Sequence, residues 1–287
     1  MVQLLDRDIQ TKEVIAWKGV HILHHPMSSC SKKTRIFLNL KGIEWESHIV
    51  DILDGENYGE WFLGINPRGL VPVLVDNGDV HIESNDILIY LEEKYPRPPL
   101  IPTGRESETI TLLEHEDELH LDLRTLSFRF FFVRKGSPKA PRAMDKYRRN
   151  GSGTVGGVAD REKAVQIKFW ETVANKGISD EAARRSALKF RKAYEELEER
   201  LSDNIYLLGD ELSVIDIAWF IYSDRLILAG YPMATLHRRV GQWFKRLYQR
   251  PEFAKEVAMP PEIQRMLNEA RNEQQKTQTT FVEVAGF

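Results

Sequence analysis

The sequence predicts an α/β N-terminal domain followed by an all-α domain, and three observations carry that expectation. Short β-prone runs alternate with helical periodicity between Val20 and Tyr95. The turn Asp76-Asn77-Gly78 separates two of these runs, and Asn-Gly there is the strongest short-range hairpin signal. Beyond the proline-rich stretch Pro96 to Pro102, apolar residues step at helical intervals and no strand pattern is sustained.

The first 18 residues show little periodicity and read as an extension. Residues 19–96 then follow the order β-α-β-α-β-β-α. His21 to His24 forms a short strand that enters a turn at Pro26. Ile36, Phe37 and Leu40 lie at helical spacing between Lys33 and Lys41, and Gly42 stops that helix. Trp45 to Ile52 is the second strand, and a short helix from Tyr58 to Leu63 ends at the breaker cluster Asn66-Pro67-Arg68-Gly69. Val71 to Val75 and Asp79 to Ile82 form the hairpin. Ser84 opens the last helix of the domain, whose stripe Ile87, Leu88, Leu91 and Tyr95 ends before Pro96.

Residues 97–107 read as a linker, and 108–265 as the helical domain. Leu119, Leu123, Leu126 and Phe130 mark the buried face of one helix, and Phe190, Tyr194, Leu197 and Leu201 that of another. Between them a Gly-, Pro- and basic-rich segment around 136–160 reads as a flexible insertion. Residues 266–287 form a tail whose polar run after Glu273 is expected to fray or drape on a neighbour.

Composition narrows the function. At 287 residues with 42% hydrophobic and 29% charged side chains, the chain is globular rather than disordered. A net charge of -3 argues against a nucleic-acid partner. The single cysteine, Cys30, excludes an internal disulfide and fits a reducing, cytoplasmic setting. The apolar run Ile215 to Tyr231 contains Asp216, Asp224 and Arg225, so it reads as a buried helix and not as a membrane span.

Three places hold residues suited to chemistry. Ser28-Ser29-Cys30-Ser31 lies between a strand and a helix, where backbone amides and the helix dipole stabilise an anion or thiolate; one of these serines serving only as a cap explains the same residues. Val71-Pro72 opens a strand, either as a trans proline at a plain edge or as a cis bond that leaves Val71 to pair with an extended peptide. Glu83 and Ser84 stand at a helix start, suited to the two charges of an α-amino acid or to capping alone. Other motifs carry less. His24 and His25 are adjacent on a strand and face opposite sides, so no metal ligand set is assigned. The glycine run from Gly151 lacks the ending of a phosphate loop, and the basic run Lys139 to Arg149 reads as a solvated loop.

Taken together, Ser28-Ser29-Cys30-Ser31 with Arg35, Leu40-Lys41-Gly42-Ile43, Asn66-Pro67 with Gly69, Val71-Pro72 with Leu74, Glu83-Ser84 and Ile89 to Glu92 resemble the glutathione-binding, thioredoxin-like domain of the glutathione transferase superfamily. The resemblance covers Val20 to Pro96. Further on, Leu212-Ser213-Val214-Ile215-Asp216 is similar to the capping motif of that superfamily's helical domain. Its physical reading is structural: Ser213 caps, Asp216 reaches back, and Leu212 can staple to Ile217.

The serine-rich motif is most similar to the zeta class, which includes maleylacetoacetate isomerases and reductive dehalogenases. That resemblance implies glutathione as cofactor, Ser28 as the activator of its thiol and Cys30 as a second, resolving thiol. It implies binding by Ser29, Val71, Pro72, Glu83 and Ser84. The helical half lacks the isomerases' motif and looks more like the dehalogenases, the bacterial β-etherases or the ganglioside-induced differentiation-associated relatives. The expected reaction is thiolate attack on a small hydrophobic, aromatic electrophile, with aryl β-ether cleavage or dehalogenation preferred. Isomerisation and non-catalytic binding are the alternatives. Phe128, Phe131, Trp219 and Tyr222 are the expected pocket residues, with core packing as their other explanation. A homodimer is expected, with neither a nucleic-acid nor a membrane partner.

Overall fold

The computed structural model describes residues 2–132 and 141–287. The chain divides into two compact units, Met1–Pro96 with Arg134–Gly177, and Arg97–Val133 with Ile178–Phe287.

The first unit is built on a five-stranded mixed sheet. In chain order its elements are β1 (Val2–Gln3), β2 (Val20–His24), α1 (Ser29–Lys41), β3 (Glu46–Ile49), α2 (Glu60–Leu63), β4 (Val73–Asp76), β5 (Asp79–Ile82) and α3 (Ser84–Lys94). The strand order is β1-β5-β4-β2-β3. Of the paired strands only β2 and β3 run parallel, with α1 as the crossover between them. All five residues of β2 and all four of β4 are buried, as befits central strands covered on both faces. Gly42 ends α1 in the left-handed conformation, with φ 63°, that glycine adopts without steric cost.

Buried ties fix α1 against α3. Lys41 Nζ pairs with Glu92 Oε2 at 2.6 Å and donates to the Tyr95 carbonyl, while Lys33 Nζ donates to Asn85 Oδ1 at 2.7 Å. The thioredoxin-like order expected from the sequence is therefore present, as β2-α1-β3-α2-β4-β5-α3.

Residues 2–18 depart from the extension read in the sequence. Val2 and Gln3 add the edge strand β1 to β5, and Leu4, Ile9 and Val14 enter the core. Two 3-10 turns, Asp6–Asp8 and Lys12–Ala16, space these apolar residues five apart, which matches neither a helical nor a strand period. Gln10 and Thr11 both donate their N–H to the Gly64 carbonyl, tying the segment to the end of α2.

The second unit begins with α4 (Glu106–Glu118) and α5 (His120–Leu126), followed by a π-helical turn over Ser127–Phe131. The predicted stripe Leu119, Leu123, Leu126 and Phe130 is buried, though the helix breaks at Leu119.

The chain then returns to the first unit with α6 (Pro141–Arg149), the hairpin β6 (Thr154–Val155) and β7 (Val158–Ala159), and α7 (Glu162–Lys176). Residues 136–140 of the expected insertion lie outside the described residues. The described part folds instead of forming a flexible loop: Gly156 and Gly157, at φ 60° and 74°, supply the positive-φ turn that a two-residue hairpin needs.

The second unit resumes with α8 (Asp180–Arg200), α9 (Val214–Ala229), α10 (Met233–Leu236), α11 (Arg238–Tyr248), α12 (Pro251–Val257), α13 (Pro261–Thr277) and α14 (Phe281–Ala285). Phe190, Tyr194, Leu197 and Leu201 are buried as predicted. Helix α9 is buried along nearly its whole length. Among the described residues no helix is long and apolar enough to cross a membrane.

At the start of α9 the Ser213 N–H donates to Asp216 Oδ2 at 2.9 Å, the capping box read from the sequence. The expected frayed tail is in fact packed. Thr280 and Glu283 form a second capping box that starts α14, and Phe281 is buried against Phe130 at 4.8 Å between ring centroids. The polar run that suggested disorder closes α13, where Gln274 is buried and donates Nε2 to the Phe130 carbonyl at 3.0 Å while Gln275, Lys276 and Thr277 are exposed.

Candidate functional site

The register of the sheet brings three segments to one edge. Leu23 in β2 pairs with Val73 in β4, and Val73 pairs with Ile82 in β5. The loop after β2, the residues before β4 and the residues after β5 therefore meet at the same end of the sheet. They carry Ser28 to Cys30, Val71-Pro72 and Glu83-Ser84.

Ser28 is the N-cap of α1. Its Oγ accepts from the Ser31 N–H at 3.2 Å, and its carbonyl accepts from Lys32 N–H at 2.9 Å. A hydroxyl accepting at its oxygen still has its hydrogen to donate. Ser31 is buried and bonds back to the loop, its Oγ accepting from the His25 N–H at 3.3 Å. Ser28, Ser29 and Cys30 are half-buried. The loop is braced by buried Arg35, which points Nη1 at His24 Nδ1 at 3.0 Å and donates to the carbonyls of His25 and Pro26. Its place in the Ser-Ser-Cys-Ser motif thus has a structural reason: it fixes the turn that presents Ser28.

The Val71–Pro72 bond is cis. Val71 precedes Pro72 and lies outside the ladder, whose last pairs involve Val73, so its backbone groups are not spent on sheet bonds. Glu83 sits at φ 68° and ψ 117°, a conformation sparsely adopted by residues other than glycine and found where the fold holds it in place. That turn makes Glu83 the N-cap of α3 and Ser84 its first residue, one position later than the capping role read from the sequence. Ser84 is buried, and the Ile87 N–H donates to the Glu83 carbonyl at 2.9 Å.

A residue pair that the sequence did not signal stands beside Glu83. Arg68 Nη1 bonds Glu83 Oε1 at 2.6 Å, and its Nη2 bonds Asp160 Oδ1 at 2.7 Å. Burial acts against the Arg68 charge, yet the bonds to Asp160 and Glu83 outweigh it and hold the guanidinium protonated. Tyr147 on α6 donates its hydroxyl to the Arg68 carbonyl, and Asn57 Nδ2 donates to the Gly69 carbonyl at 2.7 Å. Arg68 was visible only as part of a breaker cluster. Asp160 lies 92 positions away and carried no signal at all.

The family profile for the glutathione S-transferase N-terminal domain matches residues 27–94, the stretch that holds all three segments. Residues 27–94 thus form a glutathione S-transferase N-terminal domain. Among curated relatives of this stretch, a zeta-class glutathione S-transferase of Euphorbia esula is 51% identical over 83 residues, 29% of this chain and 37% of that protein. A maleylacetoacetate isomerase of Pseudomonas aeruginosa is 43% identical over 77 residues, 26% of this chain and 36% of that protein. The matches thus span little more than a third of these curated relatives. The crystal structure of the β-etherase LigF from Sphingobium sp. strain SYK-6 aligns with a TM-score of 0.67 at 23% identity, covering 83% of this chain and 98% of that one. At that identity the likeness speaks to the fold.

The four expected pocket residues lie in the second unit. Trp219 and Tyr222 are fully buried on α9, and Tyr222 is hydrogen-bonded through its hydroxyl to His120 Nδ1 at 3.0 Å. Core packing accounts for both. Phe128 and Phe131 lie on the π-helical turn, a geometry frequent at functional sites. Phe128 is half-buried, while Phe131 is buried beneath the Arg225 guanidinium at 4.8 Å.

Proposed function

We propose that the chain is a glutathione-dependent transferase in which Ser28 activates the glutathione thiol. Glutathione, when bound, supplies a thiolate nucleophile for attack on a small hydrophobic electrophile. The observation that carries the reading is the convergence of Ser28, Val71 and Glu83 at one end of the sheet, through the register Leu23–Val73–Ile82.

The residues suit the parts of that tripeptide. Val71 can offer backbone N–H and C=O to an extended peptide at the end of the ladder. Glu83 offers a carboxylate to an ammonium group, and a carboxylate paired with Arg68 retains further acceptor positions. Ser84 and the amides that open α3 offer donors to a carboxylate. Ser28 donates its hydroxyl hydrogen at the N-terminus of α1, where the helix dipole also favours negative charge; both act to lower the pKa of a thiol placed there. Cys30, half-buried in the first turn of α1, is assigned to a second thiol exchange in a reductive reaction.

Aryl β-ether cleavage or dehalogenation is the preferred chemistry, with Phe128 and Phe131 assigned to the electrophile. Isomerisation of the maleylacetoacetate type is the second reading, favoured by the 43% identity over 77 residues to a protein of that name. We assign the chain a homodimeric state and a cytoplasmic setting, the first tested by light scattering. Product analysis with an aryl β-ether, a halogenated hydroquinone and maleylacetoacetate, each with glutathione, distinguishes the reactions. No turnover of any of the three, with no retention on immobilised glutathione, contradicts the enzyme reading.

A further inference from the structure

We propose that His21, Glu46 and His48 form a site for a borderline divalent transition-metal cation, zinc by preference, clipping β2 to β3 at the edge of the sheet. The placement follows from the parallel register. His21 pairs with Glu46 and Leu23 with His48, and residues two apart on a strand share a face. Glu46 and His48 therefore stand on the same side of β3, and His21 reaches across from β2 on that side.

The three donor sets lie within 4.8 Å of one another. His21 Nδ1 is 3.0 Å from His48 Nε2 and 3.5 Å from Glu46 Oε2, and His48 Nε2 is 3.6 Å from Glu46 Oε1. Bonds of about 2.0–2.2 Å to one ion, opened by about 90–120°, hold their donors about 3.0–3.6 Å apart. The observed separations fall on that scale.

The outer bonds point the same way. His21 Nε2 lies 2.8 Å from the Lys18 carbonyl, which can only accept, so Nε2 carries the hydrogen and Nδ1 presents its lone pair to the cluster. A ligating histidine is oriented in this manner by a carbonyl behind it. Without metal, His48 Nε2 donates to that lone pair; with metal, the His48 hydrogen passes through solvent to the Nδ1 of the same ring, so that His21 Nδ1 and His48 Nε2 both face the ion. Trp17 stacks on His48 at 4.4 Å and lies 4.7 Å from His21, closing one side and holding both rings. Glu46 is exposed, which leaves the remaining coordination positions to water. Two imidazoles and one carboxylate select zinc-like ions over calcium or magnesium, which prefer oxygen alone.

Nothing in this inference depends on the glutathione site, since β3 and Trp17 lie outside the three segments that form it. The test is calorimetric titration of the full chain with zinc chloride in a non-chelating buffer, with calcium chloride as the contrast. One zinc per chain is expected, with no calcium uptake and a rise in melting temperature on zinc addition. His48→Ala and Glu46→Gln change partly exposed or exposed side chains, so both variants should fold. Each should weaken zinc binding on the order of tenfold or more, at least the loss seen when an outer-shell partner is removed, and abolish the melting shift. Absence of zinc uptake, or zinc affinity unchanged in both variants, overturns the site. Equal affinity for calcium overturns the ligand class.

Discussion

Arg68 and Asp160 form a half-buried two-pronged ion pair, Nη2 to Oδ1 at 2.7 Å and Nε to both carboxylate oxygens at 3.2 Å. The pair joins the loop before β4 to the segment after β7, and the same guanidinium holds Glu83 with its remaining nitrogen. Residues 141–177 are thereby bonded to the loop that leads into Val71 and, through Arg68, to Glu83.

Removing Asp160 leaves Arg68 with one carboxylate in a site that is mostly sealed. Asp160→Ala should cost about 1–3 kcal/mol of stability, less than a fully buried pair because Glu83 still compensates the charge. Denaturant unfolding measures it. A double-mutant cycle with Arg68→Ala should give a coupling of similar size, and a coupling near zero would refute the link.

Asp216 is the strongest single support in the helical unit. It is fully buried and accepts from the Ser213 N–H and hydroxyl, the Leu207 N–H and Trp243 Nε1, the last at 2.8 Å. Burial raises its pKa against the pull of those bonds. Asp216→Ala strands several buried donors, each at about 1–3 kcal/mol, so the loss should be at least about 3 kcal/mol. A loss below about 1 kcal/mol in denaturant unfolding contradicts this assignment.

His81 supplies a pH dependence. It is buried on β5 and stacked on Tyr90 at 3.8 Å, and that burial lowers its pKa below the usual 6.5, partly offset by Asp79 and Asp76. The unfolded chain then binds the proton more readily than the folded one. Stability contributed by neutral His81 is complete above pH 6.5 and is lost as pH falls through the folded pKa. His81→Phe keeps the stack and removes the titration. Thermal melts between about pH 5 and 7 should therefore show a shallower acid slope in the variant, with buried His237 still contributing its own. An unchanged slope rejects the role.

Much of this was legible in the sequence, for identifiable reasons. Asn77-Gly78, Gly42 and the Ser213–Asp216 box are local signals, each set by a few consecutive residues, and the structure uses them as read. Residues 2–18 were missed because five-residue spacing through 3-10 turns has no period to detect. Asp160 was missed because an ion pair 92 positions apart is fixed only by tertiary packing. His21, Glu46 and His48 were partly legible: the i, i+2 pair Glu46 and His48 on a strand signals a shared face, but His21 joins it only once the β2–β3 register is known.

Glu83 and Cys30 should separate binding from later chemistry. Glu83→Ala should weaken glutathione binding by about 1.5 kcal/mol or more, the scale of a charge-assisted contact, in calorimetric titration. Cys30→Ser should leave glutathione affinity and ether cleavage unchanged while stalling a reductive dehalogenation at the glutathione adduct, detectable by mass spectrometry. Equal losses in ether cleavage and dehalogenation for Cys30→Ser contradict the division of roles.

Ser28 bears the central claim, and the pKa of the bound glutathione thiol tests it most directly. Thiolate ultraviolet absorbance, followed against pH for glutathione bound to the wild-type chain and to Ser28→Ala, reads that quantity without choosing an electrophile. Loss of the cap costs about 1 kcal/mol, which leaves the fold available for the comparison. The account predicts a thiol pKa below the value of about 8.5 in the wild type, a higher one in Ser28→Ala, and turnover reduced on the order of 10–1000-fold. Bound glutathione with the same thiol pKa in both proteins would contradict it.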